Sequence, residues 1–291
     1  MRVRQFLLST YALNHTYHNW ELRRWEGQWF WGQLSEAQHW TTYVRLWENE
    51  RGQLVGVAHP ERRPGNLWLQ IHPDYRHLEE EMLRWGEAHL AASDDSAPAK
   101  HKLQVEAFDY DRPRQQLLAQ QGYTQTPWYG YLRWRLPTQP LPAAPTTAGY
   151  VVRALRPGVW SDTERYAAAV RAVFPRSAAT AADEARFQTS PSFRYDLHLV
   201  AEAADGSFAA FAGLTFEDVN RTAVFEPVGT HPDHRGKGLA QAVMVEGLRR
   251  LQALNASMVY VGTGDMIPAN RLYESLGFTH YHISHVWEKV W

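Results

Sequence analysis

The stretch HPDHRGKGLAQAV, from His231 to Val243, places two glycines and two basic side chains just before a helical pattern. A helix N-terminus leaves N–H groups without intrahelical acceptors and carries partial positive charge. Glycines let an anion approach that backbone closely, and Arg235 and Lys237 add full charges nearby. These residues predict a phosphate-binding site. A basic turn capped by glycine, with no ligand, is the alternative that the stretch alone leaves open.

The spacing of these glycines differs from that of two common phosphate-binding motifs. The sequence contains no G-x-x-x-x-G-K-[ST], which a P-loop requires. The G-x-G-x-x-G spacing of dinucleotide-binding folds also fails here. The stretch therefore indicates neither of those folds, and it does not by itself name a ligand.

A second, altered copy of the stretch lies in the first half of the chain. Residues 72–90 read HPDYRHLEEEMLRWGEAHL, and residues 231–249 read HPDHRGKGLAQAVMVEGLR. Further on, QQLLAQQGYTQ (115–125) is similar to RLYESLGFTH (271–280). Two matches in the same order and at similar separation indicate two copies of one fold.

The two copies are separated by PTQPLPAAPTTAG, residues 137–149. Its prolines disfavour a helix or a central strand, and its composition is typical of an extended linker. We therefore predict two domains, residues 1–136 and 150–291, joined by a proline-rich linker.

Hydrophobic patterns in the second copy predict the elements that would position the glycine-rich stretch. A strand over 222–231 leads into it, and a helix over about 237–254 follows. A buried strand at 257–264 and a short helix at about 267–276 come next, with Gly277 suited to the residue just past the helix. The remaining predicted elements are a strand at 150–155, a helical pair at about 160–189, strands at 195–203 and 207–217, and a final strand in HYHISHVWEKVW.

Composition excludes several classes of protein. The formal net charge of −1 over 291 residues gives no global field that would attract nucleic acid or an anionic membrane. The absence of cysteine excludes disulfides and thiolate nucleophiles. No apolar run approaches the roughly 18 residues of a membrane span. We expect a soluble, cytoplasmic protein with no nucleic-acid or membrane partner, and the sequence makes no prediction of its oligomeric state.

Arg235-Gly236-Lys237-Gly238-Leu239-Ala240 resembles the R/Q-x-x-G-x-G/A pattern of the GNAT superfamily of acyl-CoA-dependent N-acetyltransferases. The flanking strands and helix, and Asn270, Tyr273 and Gly277-Phe278, stand where that family has them. The resemblance covers about 150–291, and EPVGTHPDHRGKGLA is also similar to the tandem-GNAT group that includes mycothiol synthase. It implies an α+β fold of two tandem GNAT-like domains, each a mixed, mostly antiparallel sheet flanked by helices.

The resemblance also implies a site for acetyl-CoA as co-substrate. The backbone of Val228, Gly229 and Thr230 would pair with the pantetheine arm, and the amides of residues 235–240 would hold the pyrophosphate. In the family, the strand that holds Glu226 and the strand at 257–264 splay apart around the thioester. Asn270 would contact the pantetheine or phosphate region, or else act as a polar residue at the helix start.

Two further residues would do the chemistry that the resemblance implies. Tyr273 would protonate the leaving CoA thiolate, or would merely pack between helix and sheet. Glu226 would accept the amine proton directly or through water, or would be an ion-paired surface carboxylate. Strand alternation would put it on one face with Val228 and Thr230. His231 and His234 are rival bases because histidine titrates near neutral pH, but they fall in the turn.

Three histidines in HYHISH (280–285) raise the question of a metal site. His280 and His282 would share a strand face and His285 would take the other. No carboxylate partner is evident nearby in the sequence, so we predict no metal.

In the first copy, Glu79 replaces Gly238 and Glu81 replaces Ala240. Carboxylates there would repel a diphosphate, so we expect a degenerate domain that keeps the fold without acetyl-CoA. It would shape the acceptor cleft or simply support the second domain.

The function implied is transfer of an acetyl group from acetyl-CoA to a primary amine of a small molecule, directly in a ternary complex. The alternatives are acetylation of a protein or peptide N-terminus and a non-catalytic CoA-sensing module.

Overall fold

The computed structural model describes residues 2–94 and 97–291. The chain divides into two compact units. The first comprises Met1–Trp29, Leu34–Tyr131 and His282–Trp291, and the second comprises Phe30–Gln33 and Leu132–Tyr281. The units are groups of residues that contact one another in space, whereas the predicted domains are defined by the sequence repeat. The predicted division at residues 137–149 therefore stays a prediction.

Nine helices are found in the described residues. They are α1 (Arg2–Asn14), α2 (Leu22–Phe30), α3 (Leu34–Trp40), α4 (Glu79–His89), α5 (Arg112–Gln120), α6 (Trp160–Val173), α7 (Ala181–Phe187), α8 (Leu239–Ala253) and α9 (Ile267–Ser275). Short 3₁₀ turns at Pro73–Leu78 and Pro232–His234 precede α4 and α8. None of these helices is long and apolar enough to cross a membrane.

The strands of the described residues follow the chain in the order β1 (Arg45–Glu48), β2 (Leu54–His59), β3 (Asn66–Ile71), β4 (Ala92–Asp94), β5 (Ala97–Phe108), β6 (Thr124–Arg135), β7 (Tyr150–Ala154), β8 (His198–Ala203), β9 (Phe208–Glu217), β10 (Thr222–Thr230), β11 (Met258–Thr263) and β12 (His280–Val290). The boundary between the units falls inside β6 and β12.

The sheet of the first unit is mixed. Strands β1, β2 and β3 pair antiparallel, and β5 lies parallel to β3. β4 and the part of β12 from Ser284 onward pair antiparallel with β5. Met82 and Leu83 of α4 are buried against this sheet in a core with Leu69 and Val105.

The sheet of the second unit has the same plan. Strands β7, β8, β9 and β10 pair antiparallel, and β11 lies parallel to β10. Side chains alternate along β9, so Leu214 packs in one core with Val243 and Leu248 of α8. Phe211 packs on the opposite face, in a second core with Val170 of α6. The prediction of an α+β fold with mixed, mostly antiparallel sheets flanked by helices is confirmed.

Candidate active site

The parallel pairing of β10 and β11 ends partway along both strands. It runs from Thr222 opposite Met258 to Phe225 opposite Val261, while β10 continues to Thr230. Beyond Phe225, β10 keeps its pairing with β9 on its other edge. A gap therefore opens between β10 and β11, and the edge of β10 that faces it is available to an extended ligand. This is the splay that the sequence resemblance implied.

A bulge lies where the gap begins. Phe225 pairs with Leu214, and the next paired residue, Val228, pairs with Ala212, so Glu226 and Pro227 both stand opposite Gly213. The Glu226–Pro227 peptide bond is cis. The expectation that alternation puts Glu226 on the face of Val228 and Thr230 is wrong, because the extra residue breaks the alternation.

Gly213 is a site residue that the sequence reasoning missed. A Cβ added to it would lie 2.9 Å from the carbonyl oxygen of Glu226 and 3.1 Å from Cδ of Pro227. Only glycine lets the bulge approach β9 this closely. The signal in the sequence was a glycine inside the strand pattern FAAFAGLTFE, which often marks a bulge or a close backbone approach.

Tyr273 lies on α9 and is 6 % exposed. Its ring packs edge to face against Phe278, with the ring centroids 6.3 Å apart. Burial and the negative charge of nearby Glu226 raise the pKa of Tyr273 to about 12. Burial and this charge therefore keep the tyrosine hydroxyl protonated at neutral pH.

Two glycines with positive φ form the turn that leads into α8. Gly236 has φ +77° and Gly238, the residue before the helix, has φ +71°. The amide of Ala242 donates to the Gly238 carbonyl at 3.0 Å, so the N–H groups of residues 239–241 have no acceptor within the helix. A Cβ on Gly238 would also lie 3.0 Å from Cβ of Pro145. The turn has the open amides that an anion site requires.

Basic and polar side chains surround this turn. Lys237 Nζ donates to the Tyr150 hydroxyl at 2.7 Å, and that hydroxyl is 2.8 Å from Nδ1 of His234. The side chain of Arg235 is exposed. His231 Nδ1 accepts from the Asp233 amide at 3.3 Å. Both histidines therefore have hydrogen bonds in or beside the turn.

Asn270 stabilises the loop that precedes α9. Its Nδ2 donates to the carbonyls of Gly264 at 2.9 Å and Met266 at 3.1 Å. Its Oδ1 accepts from Nε of Arg133 at 2.8 Å. Both ends of the amide therefore have protein partners, and the predicted contact with CoA stays a prediction. Arg133 is another residue that the sequence reasoning missed, because its partners are far from it in sequence.

In the first unit, the position that matches Gly238 is filled by a buried carboxylate. Glu79 is 2 % exposed and accepts from Arg76 Nε at 2.8 Å and from Arg114 at 3.3 Å. Arg76 also donates to Asp111 at 2.7 Å. The negative charge that a diphosphate would bring is already supplied here by the protein's own side chains.

The described residues contain no group of three or more His, Asp or Glu side chains placed to hold a metal ion. Of the histidines in the final strand, His282 lies 3.6 Å from Oδ1 of Asp109, a neighbour that the local sequence did not reveal. His285 Nδ1 lies 3.0 Å from Nε2 of Gln125.

Sequence comparisons identify relatives that cover about four fifths of the chain. A sequence model of the Acetyltransferase (GNAT) family matches residues 163–278. A mycothiol acetyltransferase of Thermobispora bispora is 30% identical over 247 residues, covering 79% of this chain and 78% of that protein. A mycothiol acetyltransferase of Thermomonospora curvata is 28% identical over 244 residues, covering 80% of this chain and 78% of that protein.

Solved structures show the same fold. A GCN5-related N-acetyltransferase of Sphaerobacter thermophilus has a TM-score of 0.67 and 20% identity, covering 99% of this chain and 91% of that one. A tandem GNAT protein from the clavulanic acid biosynthesis pathway has a TM-score of 0.66 and 17% identity, covering 99% of this chain and 94% of that one. The chain therefore belongs to the GNAT family of acetyltransferases, in the tandem arrangement, and is an acetyl-CoA-dependent N-acetyltransferase.

Proposed function

We propose that the protein transfers the acetyl group of acetyl-CoA to a primary amine of a small molecule, directly in a ternary complex. The observation that carries the proposal is the end of the pairing between β10 and β11 at Phe225, next to Glu226, whose charge acts on the buried Tyr273. The glycine turn before α8 supports it, because positive φ values and open amides fit a diphosphate.

In this proposal the donor is held mainly by backbone. The amides of residues 235–240 bind the pyrophosphate, with Arg235 and Lys237 adding positive charge. Val228, Gly229 and Thr230 pair with the pantetheine arm along the free edge of β10. Tyr150, which holds Lys237, joins this set.

The reaction needs two proton transfers. Glu226 takes a proton from the acceptor ammonium, directly or through water, which frees the nitrogen lone pair to attack the thioester carbonyl. As the new C–N bond forms and the C–S bond breaks, Tyr273 gives its hydroxyl proton to the departing sulfur. The chain has no cysteine that could carry the acetyl group in between, which supports direct transfer.

The acceptor that we propose to test first is an amine of the mycothiol class, in its non-acetylated form. The alignment of this chain with each of the two mycothiol acetyltransferases spans 78% of that protein's length. The match therefore includes residues of both copies of the fold. We expect the reaction to take place in the cytoplasm.

A panel of acceptors tests this proposal. It contains the non-acetylated mycothiol, simple amino sugars, amino acids and a peptide with a free N-terminus. Because an acceptor of the mycothiol class carries its own thiol, the acetylated product is measured by mass rather than by thiol release. Transfer to the small amines with intersecting initial-velocity lines is expected. Transfer only to the peptide, or parallel lines, would contradict the small-molecule acceptor or the ternary complex respectively.

A further inference from the structure

We propose that Arg133 is a positioning residue for the reaction, and that it acts by fixing the helix that carries Tyr273. Arg133 lies in β6, ahead of the proline-rich linker, in the part of the sequence assigned by the repeat to the first copy. This inference rests on the proposed role of Tyr273 as the acid.

The Arg133 side chain makes three separate contacts around α9. Its Nε donates to Asn270 Oδ1 at 2.8 Å, and one terminal nitrogen donates to Glu274 at 3.0 Å. The other terminal nitrogen donates to the carbonyl of Phe278 at 3.2 Å, just past the helix. Arg133 is only 4 % exposed, whereas the side chain of Glu274 is 53 % exposed. The bonds to Asn270 and to the Phe278 carbonyl therefore do most to hold the guanidinium in one orientation.

The contacts flank Tyr273 on the helix. Asn270 and Glu274 are four residues apart and so lie on one side of α9, and Tyr273 comes three residues after Asn270. Asn270 extends the network to the carbonyls of Gly264 and Met266, in the loop between β11 and the helix. One guanidinium therefore contacts the helix and Phe278, three residues past its end, and through Asn270 it is linked to the loop before α9.

Rotation or translation of α9 would move the Tyr273 hydroxyl relative to Glu226 and the gap. Misplacement by about 1 Å costs roughly a hundredfold in rate when a group must meet a reacting atom. The glycine turn proposed to bind acetyl-CoA precedes α8, and none of these three Arg133 contacts extends to that turn or to α8. Loss of Arg133 should therefore reduce turnover and leave acetyl-CoA binding nearly intact.

The test compares four variants of the full chain: Arg133→Met, Arg133→Lys, Tyr273→Phe and the double variant Arg133→Met/Tyr273→Phe. Arg153→Met is the matched control, because Arg153 is an ion-paired arginine of the same unit that bonds to Asp162 and Glu202 and not to α9. For each variant, kcat, KM, acetyl-CoA affinity by calorimetry and Tm are measured.

We expect Arg133→Met to lower kcat by about tenfold or more while the acetyl-CoA affinity stays within about threefold. Arg133→Lys keeps the charge and should recover part of the loss. Arg153→Met should lower Tm and leave kcat within about twofold of the parent. The double variant should be no slower than Tyr273→Phe alone. Tyr273→Phe has already removed the hydroxyl, so losing the residue that positions it should cause no further loss of rate.

Losses that multiply in the double variant would overturn the positioning role, as would a kcat loss in Arg133→Met no larger than that in Arg153→Met. A folded Arg133→Met variant that binds no acetyl-CoA would also overturn it. If Arg133→Met fails to fold, as judged by Tm, Arg133→Lys takes its place in both comparisons. The acid role is judged separately, since a Tyr273→Phe variant with parental turnover removes it whatever Arg133 does.

Discussion

At the scale of single residues, Tyr273 owes its chemical character to its surroundings. Its ring is packed in the core beneath α8 and against Phe278. Burial disfavours a phenolate, and the charge of Glu226 disfavours it further, so the pKa is raised to about 12. The hydroxyl therefore carries its proton at neutral pH and can donate it, although the raised pKa makes it a weaker acid than a tyrosine in water.

Replacing Tyr273 with phenylalanine keeps the ring and removes only the hydroxyl. If the hydroxyl acts in the transition state, kcat and kcat/KM fall together by roughly a hundredfold. The affinity for acetyl-CoA stays within a few-fold of the parent. Steady-state kinetics on any accepted amine, with calorimetry for binding, measures both. A silent Phe variant alongside a destabilised Tyr273→Ala variant would mean that the residue only packs.

The raised pKa also sets the pH dependence of this step. A proton donor with a pKa of about 12 stays protonated across the range in which the enzyme can be assayed, so its deprotonation should cause no loss of rate up to about pH 10. The pH profiles of the parent and of Tyr273→Phe should therefore have the same shape. A basic limb that disappears in the Phe variant would show that the pKa is far lower.

At the scale of elements, the start of α8 depends on backbone conformation as much as on charge. Gly236 and Gly238 both have positive φ, and Gly238 also lies against Pro145. A side chain at residue 238 would meet conformational strain, a close contact and, if acidic, repulsion of the ligand. The first copy has a glutamate at the matching position.

Two substitutions at Gly238 separate these effects. Gly238→Ala places a side chain at a residue with positive φ and in close contact with Pro145. We expect it to lower stability by about 1–2 kcal/mol and to weaken acetyl-CoA binding modestly. Gly238→Glu adds a carboxylate beside the pyrophosphate position and should abolish binding. Both are measured by calorimetry, with Tm as the check on folding. Equal affinities for the Glu variant and the parent would place the donor site elsewhere.

The elements around the site were largely predictable from hydrophobic periodicity. The helix expected at about 237–254 is α8, Leu239–Ala253, and the strand expected at 257–264 is β11, Met258–Thr263. The bulge at Glu226 was not predictable, because it is defined by the pairing partner, Gly213, and not by the pattern of β10 itself. The contacts of Arg133 with α9 were not predictable either, since the interacting residues are separated by 137 or more positions.

At the scale of the whole molecule, the two copies of the fold differ at matching turns. In the second, two glycines with positive φ lead into α8. In the first, Glu79 is bonded to Arg76 and to the buried Arg114. The repeat made this difference visible in the sequence, but the two arginines that neutralise Glu79 are seen only in the fold.

We therefore expect one acetyl-CoA per chain. Calorimetry should give a stoichiometry near one. A value of two would mean that the first copy also binds acetyl-CoA, although Glu79 fills the position that matches Gly238. Glu79→Ala should lower the free energy of unfolding by about 1–3 kcal/mol, because the buried Arg114 loses its hydrogen bonds to Glu79 and keeps only the carboxylate of Asp111, 3.7 Å away. The exposed neighbour Glu80 provides the control, since Glu80→Ala should change stability by less than about 0.5 kcal/mol. Denaturant unfolding measures both.

The proline-rich linker is bound to the second unit near its anion site. Thr147 Oγ1 donates to the Lys237 carbonyl at 2.8 Å, Pro145 lies against Gly238, and Leu141 packs on the core. Linkers are the usual positions for inserting a tag, a fluorophore or another protein. Here an insertion after Pro145 would displace the turn that leads into α8, so we expect the stretch between Leu141 and Pro145 to tolerate an insertion better.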